Sequence, residues 1–460
     1  MNRFTLEFKF FTETSKKQDA LLIKRKFPKI KFSSWLKRNL EVGLKVIANQ
    51  SSHLTSLTFK METFESKTFG DLLSSLKMLR SLQILHCHFN NINEVEAKPL
   101  HTLTDLKIVE SFEAFKFFTK SNIKSLNATE TLASDLEILN DFLMTQGDLE
   151  KLEIVLSAYE PRTARSEFTM NASFRKLKKF SITAPKYFTV TTKSQLMKSL
   201  HTNGRFLEEL ELKCQAAPEV YKFIFTQLKF LKTLTVDAAL IPRKAEFYQN
   251  LKPSTSIKHV TLIYDSWCAG TRRFLNCFSH IESFSTIYVD QCEIAMGAEE
   301  VSWSNIFLHT GSIWLPNLKS IQVHQVDSLV KLKAMLCFHP NIESISIHKI
   351  YTSGVKKELL KILANFGNIK HLKVRGGEKA MQQFFFFARN TNFTKLESME
   401  LIVYRIDEPL ERKFYFNMPR NDKLDQRWWK PNFYLNPTKS PNSFKFQDLF
   451  GSVTSCHNSI

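Results

Sequence analysis

The sequence predicts an α/β solenoid, a horseshoe of about 14 to 15 irregular strand-plus-helix repeats whose strands form one parallel, concave sheet. Two observations lead to this fold. A short apolar pattern, L-x-x-L-x-L, recurs fourteen times in order, and the segments between its copies change to the apolar spacing of an amphipathic helix. A unit of about 26 residues cannot bury both a strand face and a helix stripe by itself, so neighbouring units must stack around one continuous core.

The hexad is clearest in LEELEL, where Leu207, Leu210 and Leu212 carry the pattern. With Ile, Val, Phe or Met allowed in place of Leu, copies begin at residues 54, 79, 103, 123, 149, 177, 207, 231, 257, 281, 318, 342, 369 and 396, and a weaker one begins at residue 27. Most intervals lie close to the 20 to 29 residues of a leucine-rich repeat. We expect the three apolar positions to face the core and the residues between them to face outward.

Helical spacing appears between the hexads, with apolar residues three and four positions apart. The clearest examples are FGDLLSSLKML (69–79), ASDLEILNDFLM (133–144), EVYKFIFTQLKFL (219–231) and VKKELLKILANF (355–366). The run FFFF at 384–387 indicates another buried helix. Each repeat is therefore predicted to pair one strand with one helix.

The pattern divides the chain into three parts. Residues 1–50 form a basic N-terminal cap that includes the weak first repeat, residues 51–402 form the repeat array, and residues 403–460 form a C-terminal cap or a loosely ordered tail. Trp428 and Trp429 are candidates for covering the last repeat, because the open ends of a solenoid must be shielded.

Composition argues for a non-membrane, intracellular protein. The chain is 43% hydrophobic and 24% charged, and it has no apolar run of the roughly 18 residues that a membrane helix needs. The N-terminus lacks a secretory signal pattern. The seven cysteines lie far apart without a C-x-x-C pair, which favours reduced thiols. We expect a cytoplasmic or nuclear location.

Known catalytic motifs are missing from the sequence. It contains no G-x-S-x-G, H-E-x-x-H, P-loop or G-x-G-x-x-G pattern. We therefore expect no enzyme activity, no cofactor and no metal site.

Irregular strand-plus-helix repeats over residues 27–402, together with the basic N-terminal segments LLIKRKFPKIKF and WLKRNL, resemble the intracellular F-box/leucine-rich repeat proteins. The resemblance implies a substrate-recognition subunit of an SCF-type ubiquitin ligase. No stretch before the first repeat has the Leu-Pro opening and three-helix length of an F-box. We expect the contact with the cullin-ligase adaptor to depend on an F-box encoded upstream, if one exists.

The net charge of +19 raises the alternative of a nucleic-acid or ribonucleoprotein factor. Its basic residues concentrate at the N-terminus, where the first 50 residues hold twelve Lys or Arg and four Asp or Glu. The second and fourth positions after the first apolar residue, which should face the concave side, carry nearly balanced charges. These are Lys107, Lys151, Lys179 and Lys373 against Asp105, Glu153, Glu209, Glu211 and Glu400. The concave side is therefore poorly suited to binding a phosphate backbone, and we expect it to bind a protein.

One part of that wall is small and uncharged, with histidines beside it, and it is the candidate contact surface. Its predicted residues are Ser283, Ser285, Ser320, Gln322, His324, Ser344, Ser346, His348, His371 and Lys373, with His259 on a flanking repeat. Stacked strands place equivalent residues in a row about 5 Å apart, which does not favour a tetrahedral zinc site. The long interval before residue 318 adds Trp303 and Trp314 as possible binding anchors.

Overall fold

The computed structural model describes most of the repeat array. The described residues are 5–9, 28–33, 37–92, 98–131, 135–156, 171–184, 193–214, 216–237, 241–242, 244–249, 251–263, 273–278, 280–287, 317–325, 329–349, 353–389, 391, 393–404 and 412–417. They fall into two compact units, residues 1–232 and 233–460. The domain boundaries predicted from the sequence, at residues 50 and 402, stay predictions.

Unit 1 contains a parallel sheet with one strand per repeat. Its strands are β1 (Thr5–Lys9), β2 (Lys29–Ser33), β3 (Ser56–Lys60), β4 (Thr63–Glu65), β5 (Ser81–Leu85), β6 (His88–Asn90), β7 (Asp105–Val109), β8 (Ser125–Thr131), β9 (Lys151–Leu156), β10 (Lys179–Thr183) and β11 (Glu209–Lys213). The main sheet runs β1-β2-β3-β5-β7-β8-β9-β10-β11, every pair parallel. The short strands β4 and β6 form a second parallel pair.

The hexads supply the core of this sheet, as predicted. Leu207, Leu210 and Leu212 are each at most 1% exposed, and the strand β11 that holds two of them alternates buried and accessible residues. Full burial of one such side chain contributes about 1.5 to 3 kcal/mol. Because neighbouring hexads pair in register, each buried residue packs on its equivalent in the next repeat, as Phe180 does on Leu210.

Phenylalanine takes over much of the core in the first repeats. Phe69 lies on the helix Ser66–Ser75, is 0% exposed, and has its ring centroid 4.8 to 5.6 Å from those of Phe59, Phe64, Phe89 and Phe117. These distances suit edge and tilted aromatic pairs. The cluster ties three consecutive repeats together.

Two further helices of unit 1, Leu136–Met144 and Pro218–Gln227, fall on segments whose apolar spacing predicted them. Two others, Lys37–Asn49 and Lys193–Asn203, were not among the predicted segments. Between β7 and β8, whose hexads start only 20 residues apart, the short 3-10 helix Phe112–Phe117 occurs instead. A 3-10 turn is tighter, so it fits a connection that has no room for a longer helix.

Unit 2 continues the same design. Its strands are β12 (Thr233–Asp237), β13 (His259–Ile263), β14 (Ser283–Ile287), β15 (Ser320–Gln325), β16 (Ser344–Lys349), β17 (His371–Gly377), β18 (Ser398–Tyr404) and β19 (Arg412–Asn417). Strands β12 to β18 pair in parallel and in chain order. Strand β19 runs antiparallel to β18 and occupies its outer edge. Trp428 and Trp429, predicted for this role, lie outside the described residues.

The helices described in unit 2 include Ala245–Gln249, Leu329–Phe338, Ser353–Asn365 and Glu378–Arg389. The last one contains the FFFF run, of which Phe384 and Phe385 are buried and Phe386 is 55% exposed. Both units are therefore α/β leucine-rich repeat solenoids, and the predicted fold class is confirmed.

A repeated backbone contact sets the start of each strand. At the start of β14, the N–H groups of Glu282 and Ser283 both donate to the carbonyl of Lys258, at 2.8 and 3.1 Å. In the same way, the N–H groups of Glu343 and Ser344 both donate to the carbonyl of Lys319. These bonds fix the register, and with it the rows of side chains on the open face of the sheet.

Candidate functional site

The predicted contact residues form two adjacent rows across the strands of unit 2. The first row pairs Ser283 with Ser320, Ser320 with Ser344, and Ser344 with His371. The second row pairs Ser285 with Gln322, Gln322 with Ser346, and Ser346 with Lys373. With about 4.8 Å between strands, each row of four residues spans about 14 Å. We call these eight residues the polar face.

The polar face points away from the core because of strand alternation. Ile321, Ile345 and Leu372 lie between its two rows and are at most 4% exposed, whereas the serines beside them are half-buried and His371 is exposed. Short hydroxyl side chains leave the backbone of the sheet accessible. A flat partner surface can therefore approach closely.

Histidines lie at both ends of the three serines of the first row. His259 pairs with Ser283 on one side, and its side chain is exposed. On the other side, His371 Nδ1 lies 2.8 Å from the hydroxyl of Ser398. Three serines thus lie between two imidazoles, a sequence of hydrogen-bonding groups with no net charge when the histidines are neutral.

The second row ends in an ion pair. Lys373 Nζ lies 2.9 Å from Glu400 Oε2, and the Glu400 side chain is only 17% exposed. The carboxylate therefore compensates the charge of Lys373, and the polar face is close to neutral.

Other predicted residues are placed only in part. His324 and His348 lie in β15 and β16, but their side chains lie outside the described residues. Trp303 and Trp314 fall within 288–316, which also lies outside them.

Charged residues that were not among the predicted contact residues also border the polar face. The first variable position of the hexads in unit 2 alternates in charge, and we call this row the charge ladder: Lys258, Glu282, Lys319, Glu343, Lys370 and Glu397. Lys258 Nζ lies 2.9 Å from Glu282, and Lys370 Nζ lies 3.0 Å from Glu343. The hydrogen bond from Lys258 lowers the pKa of Glu282. The sequence alone shows this alternation, because these charges occupy the second residue of each hexad.

A shallow groove accompanies the ladder where it adjoins Ser283 and Ser320. It has a volume of about 350 Å³ and is lined by Thr255, Lys258, His280, Glu282, Asn317 and Lys319. The lining carries both signs of charge, so the groove does not select an anion.

The open face of unit 1 is different, because its charged residues pair with one another. Lys179 Nζ lies 2.8 Å from Glu209, whose hydrogen bond raises the pKa of Lys179. Glu211 accepts a hydrogen bond from Ser181 at 3.0 Å and forms an ion pair with Lys213. Mutual pairing of this kind leaves little net field for a phosphate backbone.

The cysteines with described side chains form no disulfide bonds. Cys87, Cys214 and Cys277 are buried, and Cys337 is exposed. Burial raises the pKa of both Cys87 and Cys277 to about 11, so these two thiols stay protonated near neutral pH. Neither is poised to act as a nucleophile.

Within the described residues, no group of three or more His, Cys, Asp or Glu is arranged to hold a metal ion. Nor does any helix among them have the length and apolar character to cross a membrane.

No protein-family model matches this chain, and no curated protein matches it. Among solved structures, it is similar to an internalin from Listeria monocytogenes, at 12% sequence identity and a TM-score of 0.26. That alignment covers 78% of this chain and 85% of the internalin chain. With a TM-score this low, the similarity says nothing about what this chain binds.

Proposed function

We propose that this chain is a protein-binding scaffold, without enzyme activity, whose polar face recognises another protein. The observation that supports the proposal most is the in-register pair of rows, about 14 Å long, made of small uncharged side chains with histidines at both ends of the first. A face this wide and shallow suits a macromolecular surface better than a small ligand, which needs a concave pocket.

The finer proposal, from the resemblance to F-box/leucine-rich repeat proteins, is a substrate-recognition subunit of an SCF-type ubiquitin ligase. The bound protein would then be a ligase substrate. Such a role places the chain in the cytoplasm or the nucleus, where these ligases act.

The test introduces charge into the middle of the polar face. Ser320→Glu combined with Ser344→Glu places two carboxylates one strand apart, where a neutral partner surface would leave them desolvated and unpaired. The matched control is Ser56→Glu with Ser81→Glu, a directly paired couple on the adjacent strands β3 and β5 at the same position of the hexads in unit 1. Leu210→Asp, which buries a charge in the core, serves as the unfolded reference.

The wild-type chain and the variants would be used to capture partners from cells, with quantitative mass spectrometry. Any protein lost only with the unit 2 pair would then be purified, and its affinity measured. We expect the Kd to rise at least about tenfold for the unit 2 pair and to stay unchanged for the unit 1 pair. Equal affinity for both pairs would remove the assignment of the polar face.

Ligase function is tested separately, with the chain and any upstream coding sequence expressed together. Capture of the cullin-ligase adaptor by that longer product supports the receptor role. Its failure to bind the adaptor leaves a scaffold and removes the ligase proposal.

A second candidate, a nucleic-acid or ribonucleoprotein factor, is favoured by the charge of +19 and its concentration in the first 50 residues. Half of that segment, including residues 10–27, lies outside the described residues. Phosphate contacts make affinity fall steeply with salt. RNA binding that is insensitive to salt, or that survives deletion of residues 1–26, would contradict binding through the basic N-terminal segment.

A further inference from the structure

Two phenylalanine side chains lie exposed next to each other in unit 1. Phe206 and Phe230 are 48% and 58% exposed, and their ring centroids are 6.4 Å apart. The guanidinium of Arg205 lies 5.3 Å from the centroid of the Phe206 ring, close enough for a cation–π contact. Both phenylalanines precede the first leucine of a hexad, in consecutive repeats.

The repeat itself does not require aromatic residues at this position. The preceding repeats of unit 1 hold His53, Met78, Thr102, Asn122, Asp148 and Lys176 there. The apolar contribution to the core comes from the next residue, Leu207 or Leu231, each at most 1% exposed. Large exposed aromatic groups without a folding role are typical of partner contacts.

Local packing helps to hold Phe206 in place. The turn that carries Phe206 begins at Gly204, where an added Cβ would lie 2.5 Å from Leu228 Cδ2 in the following repeat. A larger residue at this position would have to push the Leu228 side chain aside. The turn that carries Phe206 is therefore packed closely against the next repeat.

The surroundings of the pair are predominantly basic. A groove of about 420 Å³ contains both rings and is lined by the cations Arg175, Lys176, Lys178 and Lys232 and the carboxylates Glu150 and Glu208. Lys176 is paired with Asp148 at 3.0 Å, so the four cations meet three carboxylates, and Arg205 adds a further positive charge. Glu208 is already engaged, since Lys232 lies 2.7 Å from it and lowers its pKa.

We propose that this groove is a docking site for an acidic peptide segment of a partner protein. One apolar side chain of the peptide packs over Phe206 and Phe230, and its carboxylates pair with Arg175, Lys178 and Arg205. This site lies in unit 1 and is independent of the polar face.

The geometry favours a peptide over single-stranded RNA. The two rings are within the distance of a direct aromatic pair, so no base fits between them. Glu150 and Glu208 also lie among the lysines, where a continuous phosphate backbone would meet them. Separate carboxylates on a peptide can avoid these positions.

The test uses the full chain and fluorescent probes in about 150 mM salt. The main probe is a peptide of about twelve residues with one tryptophan among glutamates; such short probes suit a groove of this size. Its controls replace the tryptophan with alanine or the glutamates with lysine. Oligouridylate of similar length is the RNA probe.

Three variants complete the design. The first variant combines Phe206→Asn with Phe230→Asn. Another repeat already has asparagine at this position, as Asn122, so the fold should be retained and the midpoint of thermal unfolding unchanged. Arg175→Glu, an exposed change, tests the charge separately. Met144→Asn removes a 59% exposed apolar group elsewhere in unit 1 and serves as the matched control.

We expect the acidic tryptophan peptide to bind, with the affinity falling at least about tenfold in the double phenylalanine variant and in Arg175→Glu, but not in Met144→Asn. Both peptide controls should bind more weakly. Equal binding by the phenylalanine variant, binding of oligouridylate alone, or no binding of any probe would overturn the proposal.

Discussion

Replacing Phe69 with alanine should show how far the phenylalanine cluster stabilises unit 1. The ring is fully buried and contacts four other rings across three repeats. Truncation removes its transfer free energy and leaves a cavity, because a cluster anchored on three strands cannot collapse onto the gap. Large-to-small changes of this type lower the free energy of unfolding by about 3 to 5 kcal/mol.

Urea denaturation followed by circular dichroism measures the loss. With a slope of about 3 kcal/mol per molar urea, the midpoint should fall by roughly 1 to 1.7 M. Because repeats contact mainly their neighbours, hydrogen exchange should speed up most in β3, β5 and β7 and least in β11. The matched control is Phe230→Ala, where the ring is 58% exposed and the change should stay within about 0.5 kcal/mol. Equal losses for the two variants, or uniform loss of protection along unit 1, would refute this reasoning.

Two further outcomes follow from local contacts. Gly43→Ala should lower the free energy of unfolding by about 1 to 3 kcal/mol in the same urea assay. The reason is that the new Cβ would lie 2.0 Å from the ring of the buried Phe32. Unchanged stability would contradict this prediction and show that the ring can move aside. Acid should also weaken the fold, because the lysine partners of Glu208 and Glu282 lower the pKa values of these two carboxyl groups. Their contribution to the free energy of unfolding is therefore present above the unfolded-state pKa of about 4.3, and it is lost as the pH falls through their lower folded-state pKa values. A variant with both changed to glutamine should lose less stability than wild type between about pH 6 and pH 3, and an identical pH profile would contradict this.

The sequence predicted the strands and their buried faces well because both depend on a local period. A residue such as Leu210 is specified by its spacing to Leu207 and Leu212, and parallel stacking of equal repeats then determines its neighbours. The two rows of the polar face follow from the same reasoning. Their membership could be predicted before any contact was known.

Contacts between side chains could not be predicted in this way. The hydrogen bond between His371 and Ser398 depends on register and rotamer together, and the hexad pattern specifies only the first. The exposure of Phe206 and Phe230 was equally hidden, because position before a hexad does not reveal whether a ring lies over the core or beside it. Strand β19 reverses direction, which no repeat period encodes.

The alternating signs of the charge ladder restrict how this array could change length. Excising the single coil that carries Lys319 would bring Glu282 beside Glu343, two like charges at the spacing of adjacent strands. Removing two adjacent coils restores an acid next to a base. We therefore expect gains and losses of repeats in unit 2 to disturb this charge pairing least when they come in even numbers, and a comparison of related sequences should find repeats gained or lost in pairs.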